Sequence, residues 1–319
     1  MSLYDDASLI MYPSGVKASK IYCQKPTDGS GDLTFARAGT KTYIDANGAR
    51  QTAAANVMPV SYEGGGCGKF NFEPQRTNLL LNSDTLSTQN ITTTAQSYVL
   101  SFEGTGTVTL SGTYAGSLVG TGATPADRVN LVFTATAGTL TVTVSGSVLN
   151  AQIEAGSYPT SYIPTAGSTV TRVEDSATAQ LVSSGVWDGE SGTIFIDIED
   201  SAPFLGYGSI SSLDRFFGGT SGYLGILSTA TDNLIYANTG GFLPFGSTSA
   251  NKFKFAITFN STTAVLFING VKVSTNSKDI RLAIREIYLS QARGQMYKYG
   301  NIQLYQDILS DAQLIELTT

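Results

Sequence analysis

The chain has 319 residues, enough for two or three domains at roughly 100–200 residues each. Only 14% of them are charged against 41% hydrophobic, with 34 glycines and many Thr and Ser, so its surface must be built largely from hydroxyls and amides, which suits β-structure. A net charge of −6 argues against a nucleic-acid partner, the absence of histidine removes Ser-His-Asp and Cys-His catalysis and imidazole metal sites, and no run of about 18 apolar residues offers a membrane span.

Met1-Ser2-Leu3-Tyr4-Asp5-Asp6 lacks the basic start and apolar core of a secretory signal, which disfavours an exported enzyme. Residues 1–32 carry one apolar run, Leu9-Ile10-Met11-Tyr12, stopped by Pro13-Ser14-Gly15, then Ile21-Tyr22 and a polar loop. That is too little for an independent core, so the segment must either lie on the next domain or dock on another subunit or a symmetry mate. Residues 33–84 read as an irregular β connector, with short strands at 33–35 and 42–44 and a turn at Asp45-Ala46-Asn47-Gly48. Gly64-Gly65-Gly66 is a permissive loop without the Lys and helix of a phosphate loop. Cys23 and Cys67 lack C-x-x-C spacing and read as two unpaired thiols, with a bridge left open. Pro74 should end the strand at Phe70-Asn71-Phe72. Beyond it, Arg76 lies among Leu79, Leu80 and Leu81 and needs an acidic or carbonyl partner, for which Glu73 is the nearest candidate.

Residues 85–168 show alternating apolar and hydroxyl side chains at 107–110, 129–133 and 139–144, the pattern of a small antiparallel sandwich. A second sandwich is expected over 169–319. Strands are predicted at 192–198, 253–259, 264–268 and 271–274, the last two joined by Asn269-Gly270, whose residues suit the positive φ angles of a type I′ hairpin. A strand at 301–305 then precedes a helix over 309–317, with Ser310 as N-cap, Gln313 reaching back to it and Leu309 and Leu314 as a staple.

The run Glu73-Pro74-Gln75-Arg76-Thr77-Asn78-Leu79-Leu80 follows Phe35-Ala36-Arg37-Ala38-Gly39-Thr40-Lys41-Thr42-Tyr43-Ile44-Asp45-Ala46-Asn47-Gly48. It precedes Gln152-Ile153-Glu154-Ala155-Gly156-Ser157-Tyr158-Pro159-Thr160-Ser161-Tyr162-Ile163-Pro164-Thr165. In this order the three resemble a module found in fibre and spike proteins of tailed bacteriophages. The hairpin, and the ending of strand, Leu309-Ser310-Asp311-Ala312 and helix, resemble concanavalin A-like and laminin G-like domains. The resemblance implies an all-β virion appendage with an N-terminal arm, a small sandwich and a concanavalin A-like jelly roll. It further implies docking of the arm on other virion subunits, a homo-oligomer with a trimer favoured, and assembly in the host cytoplasm. The lean is to a capsid-mounted fibre over a tail fibre.

No catalytic residue, cofactor or metal is assigned. The one enzymatic alternative is a glycoside hydrolase using Asp197 and Glu199, two same-face positions about 6.6–6.8 Å apart in a strand. The resembling glucanase pattern, however, has an acid where this chain has Phe195. Asp188, Glu190, Asp200, Asp214 and Asp232-Asn233 are scattered acidic and amide positions without a calcium-loop signature. For a host-surface glycan, whether on an appendage or on a free carbohydrate-binding module, the candidate ligands are Tyr207, Arg215, Phe217, Tyr223, Tyr236 and Asn238. Phe216 and Phe242 lie beside them, and core or subunit packing is the competing role for all these aromatics.

Overall fold

The computed structural model describes residues 2–201, 214–219, 222–228, 232–290 and 296–319, with the backbone alone at Asp200, Ser201, Asp214, Arg215, Leu227, Ser228 and Ser290. The chain is all-β, with antiparallel sheets layered as sandwiches and short helices at Leu3–Asp6 and Asp311–Thr318. Among the described residues no helix is long and apolar enough to cross a membrane.

The larger sandwich faces an eight-stranded sheet against a nine-stranded one. In the first, Val271–Asn276, Ala264–Ile268, Phe253–Phe259, Gly192–Ser201 and Tyr297–Tyr305 lie side by side, followed by Lys69–Phe72 and Val60–Ser61. In the second, Leu33–Ala36 and Ser176–Gln180 join Glu286–Ser290, Asp214–Gly219, Gly222–Ser228, Asn233–Asn238 and Phe242–Thr248. Period-2 alternation sends Ile194, Ile196, Ile198, Phe255, Ile257 and Phe259 inward from one sheet, against Phe217, Leu224, Ile226, Ile235 and Ile287 from the other, all buried. Asn269 and Gly270 adopt φ of 47° and 77° and close the predicted hairpin.

Residues 1–32 take the first of the two courses open to them and lie on the larger sandwich, in place of the extended docking arm that the fibre resemblance implies. Ala7–Met11 pairs with Tyr297–Tyr305, while Val16–Lys17 and Lys20–Ile21 extend the nine-stranded sheet through Leu33–Ala36. The reason is packing: Leu9, Met11, Ile21 and Leu33 are buried in the same core as the C-terminal strands. The segment too poor to make a core of its own completes someone else's within the same chain, and the connector strands Lys69–Phe72 and Val60–Ser61 do likewise.

The small sandwich stacks Gln89–Thr93, Gly138–Ser145, Thr107–Gly112 and Gly116–Val119 on Val129–Ala135, Gln96–Gly104 and Val148–Ala155. Leu100, Phe102, Val108, Leu110, Leu140 and Val142 form its core. At the C-terminus Ser310 caps Asp311–Thr318 and exchanges hydrogen bonds with Gln313, as the capping-box pattern predicts. Leu309 and Leu314 are buried together against Phe195, Phe267 and Tyr305, so the helix covers part of the outer face of the eight-stranded sheet.

Candidate functional site

The strand Lys69–Phe72 stops before Pro74, and the turn there sends Glu73 and Arg76 to different partners. Lys41 Nζ lies 3.1 Å from Glu73 Oε2 and 2.6 Å from Asp175 Oδ2, Arg37 Nη1 reaches Asp175 Oδ1 at 3.0 Å, and Arg172 Nη1 reaches Glu73 Oε2 at 2.9 Å. All five side chains are almost wholly buried. Ser161 donates to Glu73 from both its amide and its hydroxyl, at 2.7 and 2.6 Å. Burial pushes the Glu73 carboxyl up, but Arg172, Lys41 and the Ser161 donors outweigh it and hold it far below the ordinary carboxylate range. Glu73 is therefore not the partner of Arg76. That guanidinium lies 3.7 Å from Glu154 Oε2 and 5.3 Å from the centre of the Tyr158 ring, because the strand Arg76–Asn78 has already turned towards the small sandwich.

A neighbouring cluster ties the connector to the small sandwich. Arg50 grips Glu103 with both terminal nitrogens and Arg128 approaches the same carboxylate at 3.5 Å. Both guanidiniums lie over the Tyr162 ring, at 5.2 and 5.6 Å from its centre. Asn78 donates to the carbonyls of Ala151 and Ile163 at 3.0 and 2.9 Å. The three segments that carried the phage-fibre resemblance thus meet in one place, and their polar residues make a buried ionic seam between the two sandwiches. Asp175 and Arg172, with Arg50, Glu103 and Arg128 of the neighbouring cluster, lie outside those segments and complete it. Sequence reasoning missed them, and the only available signal was the presence of so many charges in stretches of a chain otherwise poor in charge.

On the outer face of the nine-stranded sheet, cross-strand pairing brings Tyr223 opposite Asn238 and Asn238 opposite Phe242. Asn238 Nδ2 donates to the Tyr223 hydroxyl at 3.3 Å. Tyr236 meets Tyr223 edge-on at 5.8 Å and stacks with Phe242 at 5.0 Å, leaving Phe242 39% exposed above a fully buried Tyr236. Of the predicted glycan ligands, Tyr223, Tyr236 and Asn238 come together, with Phe242 as the accessible ring and Tyr236 as its support. Phe217 does not join them. A bulge between Arg215 and Phe217 turns both Phe216 and Phe217 into the core, where Phe216 packs edge-on against Tyr297 and Tyr299. Tyr207 and the Arg215 side chain lie outside the described residues.

Asp197 and Glu199 share the outer face of the opposite sheet, at a shallow depression of about 310 Å³ that Lys252, Lys254, Asn269 and Thr318 also line. Burial and the nearby Glu199 charge push Asp197 up to about 6 against the pull of Lys254 and Lys252. Glu199 lies 3.8 Å from Lys252. Phe195, the neighbour on the same face, is buried under the C-terminal helix. The scattered calcium candidates have structural partners: Asp188 accepts from the Glu190 amide, Glu190 pairs with Arg281, and Asn233 donates to the Ala250 carbonyl. The side chains of Asp200 and Asp214 lie outside the described residues, and no group of three or more acidic or thiol side chains suited to a metal occurs among those described.

No protein-family model and no curated protein matches the chain. Solved structures with partial likeness include the CBM40 of Ruminococcus gnavus IT-sialidase bound to alpha2,3 sialyllactose, at 19% identity over 41% of this chain and 83% of that one, TM-score 0.29. The leech intramolecular trans-sialidase is similar at 18% identity over 40% of this chain, TM-score 0.31, and the K499G mutant of NanB sialidase from Streptococcus pneumoniae at 15% over 44%, TM-score 0.33. The chain spans 23% of the leech protein and 26% of NanB.

Proposed function

We propose that the chain is a structural, non-enzymatic appendage of a tailed-phage particle that presents its C-terminal sandwich to host-surface glycans. The observation that carries this reading is the seam: the fibre-module segments at 35–48, 73–80 and 152–165 are far apart in sequence and supply most of the buried ions that fix one sandwich against the other. A mounted body that must transmit position needs such a rigid joint. Glycan contact falls to Phe242 stacked on Tyr236, beside Asn238 and Tyr223, a flat apolar ring next to amide and hydroxyl groups. Docking on other virion subunits falls to the exposed Tyr4, Tyr12 and Tyr22, since the strands between them are taken up by the sandwich. Self-association into a trimer would draw on exposed side chains of this kind.

Antibody labelling of intact particles tests the assignment, with light scattering for the oligomer. Signal on capsid or tail together with a stable multimer supports it, and a monomer that never copurifies with particles sinks it. A free carbohydrate-binding module is the second reading, favoured by the absorption of residues 7–21 into the sandwich, and that monomeric outcome joined to glycan binding would support it. Release of reducing sugar lost in Asp197→Asn or Glu199→Gln would instead support hydrolysis.

A further inference from the structure

A cleft of about 840 Å³ opens where the connector meets the small sandwich, between the Asp45-Gly48 turn, the Gly64-Gly66 loop and the segment around Arg128 and Asn130. Its size is that of a ligand pocket, which runs to about 300–1,000 Å³. It shares Ile44, Glu63, Pro125 and Arg128 with an inner slot that has about 20 Å³ of space for an oxygen centre, room for a single hydroxyl or water. Asn71 and Arg128 both line the slot. Asn71 is 3% exposed and its Oδ1 has no hydrogen-bond partner among the described residues, and neither does the buried Arg128 Nε. One is an acceptor and the other a donor, and a hydroxyl is the simple group that serves both.

The charge of the cleft selects further. Arg50 and Arg128 already face the Glu103 carboxylate, Lys41 is held by Glu73 and Asp175, and Glu63 stands at the mouth 3.3 Å from Lys298, so among the described residues the lining offers no unpaired cation to an anion. The exposed lip adds the Asn130 amide, and Tyr62 adds a ring. Gly64, Gly65 and Gly66 have φ of 79°, 75° and 81° with open space where a Cβ would stand, so the wall can bring backbone groups up to a ligand. We propose that this cleft is a second saccharide site, taking a neutral hydroxyl-rich sugar with one hydroxyl inserted between Asn71 and Arg128. It is separate from the Phe242 face and independent of whether the chain is mounted on a particle.

The test uses the full chain and its own thiols. Cys67 is exposed beside Gly66, whereas burial, with the Asp32 charge, pushes the Cys23 thiol up to about 12, so bimane labels Cys67 at neutral pH. The labelled protein is titrated with maltohexaose, cellohexaose and chitohexaose, and calorimetry on unlabelled protein gives the affinity. A saturable fluorescence change with at least one of the three is expected. It should weaken roughly tenfold or more in Asn130→Trp and in Asn47→Trp, which plug opposite exposed lips, and stay unchanged in Phe242→Ala. No response to any of the three sugars, a response indifferent to both plugs, or one lost in Phe242→Ala would overturn the proposal.

Discussion

The core of the large sandwich and the central ions of the seam between the sandwiches are both almost wholly buried but are held in opposite ways. In the core, side chains such as Ile257 and Leu266 need only be apolar, of suitable size and on the inward face of their strand. In the seam, Arg37, Lys41, Glu73, Arg172 and Asp175 each need particular partners delivered from distant parts of the chain. The difference matters because dispersion is tolerant and a buried charge is not. Losing one methyl group leaves a small void, whereas losing one carboxylate leaves a buried cation short of its counter-charge. The core thus supplies most of the stability, and the seam supplies one fixed arrangement.

Breaking the seam should therefore have the largest effect. Asp175→Leu removes the only carboxylate paired with Arg37 among the described residues and one of the two paired with Lys41, and should cost about 3–5 kcal/mol in urea unfolding. A loss below about 1 kcal/mol would mean the pair is hydrated and the contrast false. Leu266→Ala in the core should cost about 2–5 kcal/mol, with the amide exchange of the small sandwich unchanged.

Acid sharpens the comparison because the apolar core does not titrate. The folded state holds Glu73 below its ordinary value of 4.5, so it binds fewer protons there than the unfolded chain. The stability it contributes is complete above that value and drains as pH falls. The urea midpoint should drop more steeply between about pH 5 and about pH 3 in the wild type than in Glu73→Gln. Equal slopes would remove Glu73 as the source.

Smaller effects come from the periphery. Ser310→Ala should cost about 1 kcal/mol through the lost helix cap, read as a shift in thermal midpoint. Asp197 has the opposite sign from Glu73. Burial and Glu199 raise it from 3.8 to about 6, so its favourable contribution is complete below 3.8 and is lost as pH rises through about 6. Asp197→Asn should flatten that limb and leave neutral-pH stability slightly higher. A mutant less stable at neutral pH would show the carboxylate is held by partners after all.

Local pattern determined much of this protein. Alternation placed Gly192–Ser201, Phe253–Phe259 and Gly138–Ser145, Asn269-Gly270 required its turn, and Ser310 with Gln313 required its cap, because each is decided by neighbours within a few residues. The glycan face was half legible: Tyr223, Tyr236 and Asn238 do meet, but a single bulge at Arg215 sent Phe217 inward, and no sequence pattern marks which residue of a strand is doubled. Only the tertiary structure decided that Ala7–Met11 is a strand of the large sandwich and that Glu73 answers Lys41 and Arg172 while Arg76 answers Glu154. Those choices depend on which surfaces the rest of the chain leaves uncovered and which charges arrive opposite, and long-range pairing of that kind has no local signature.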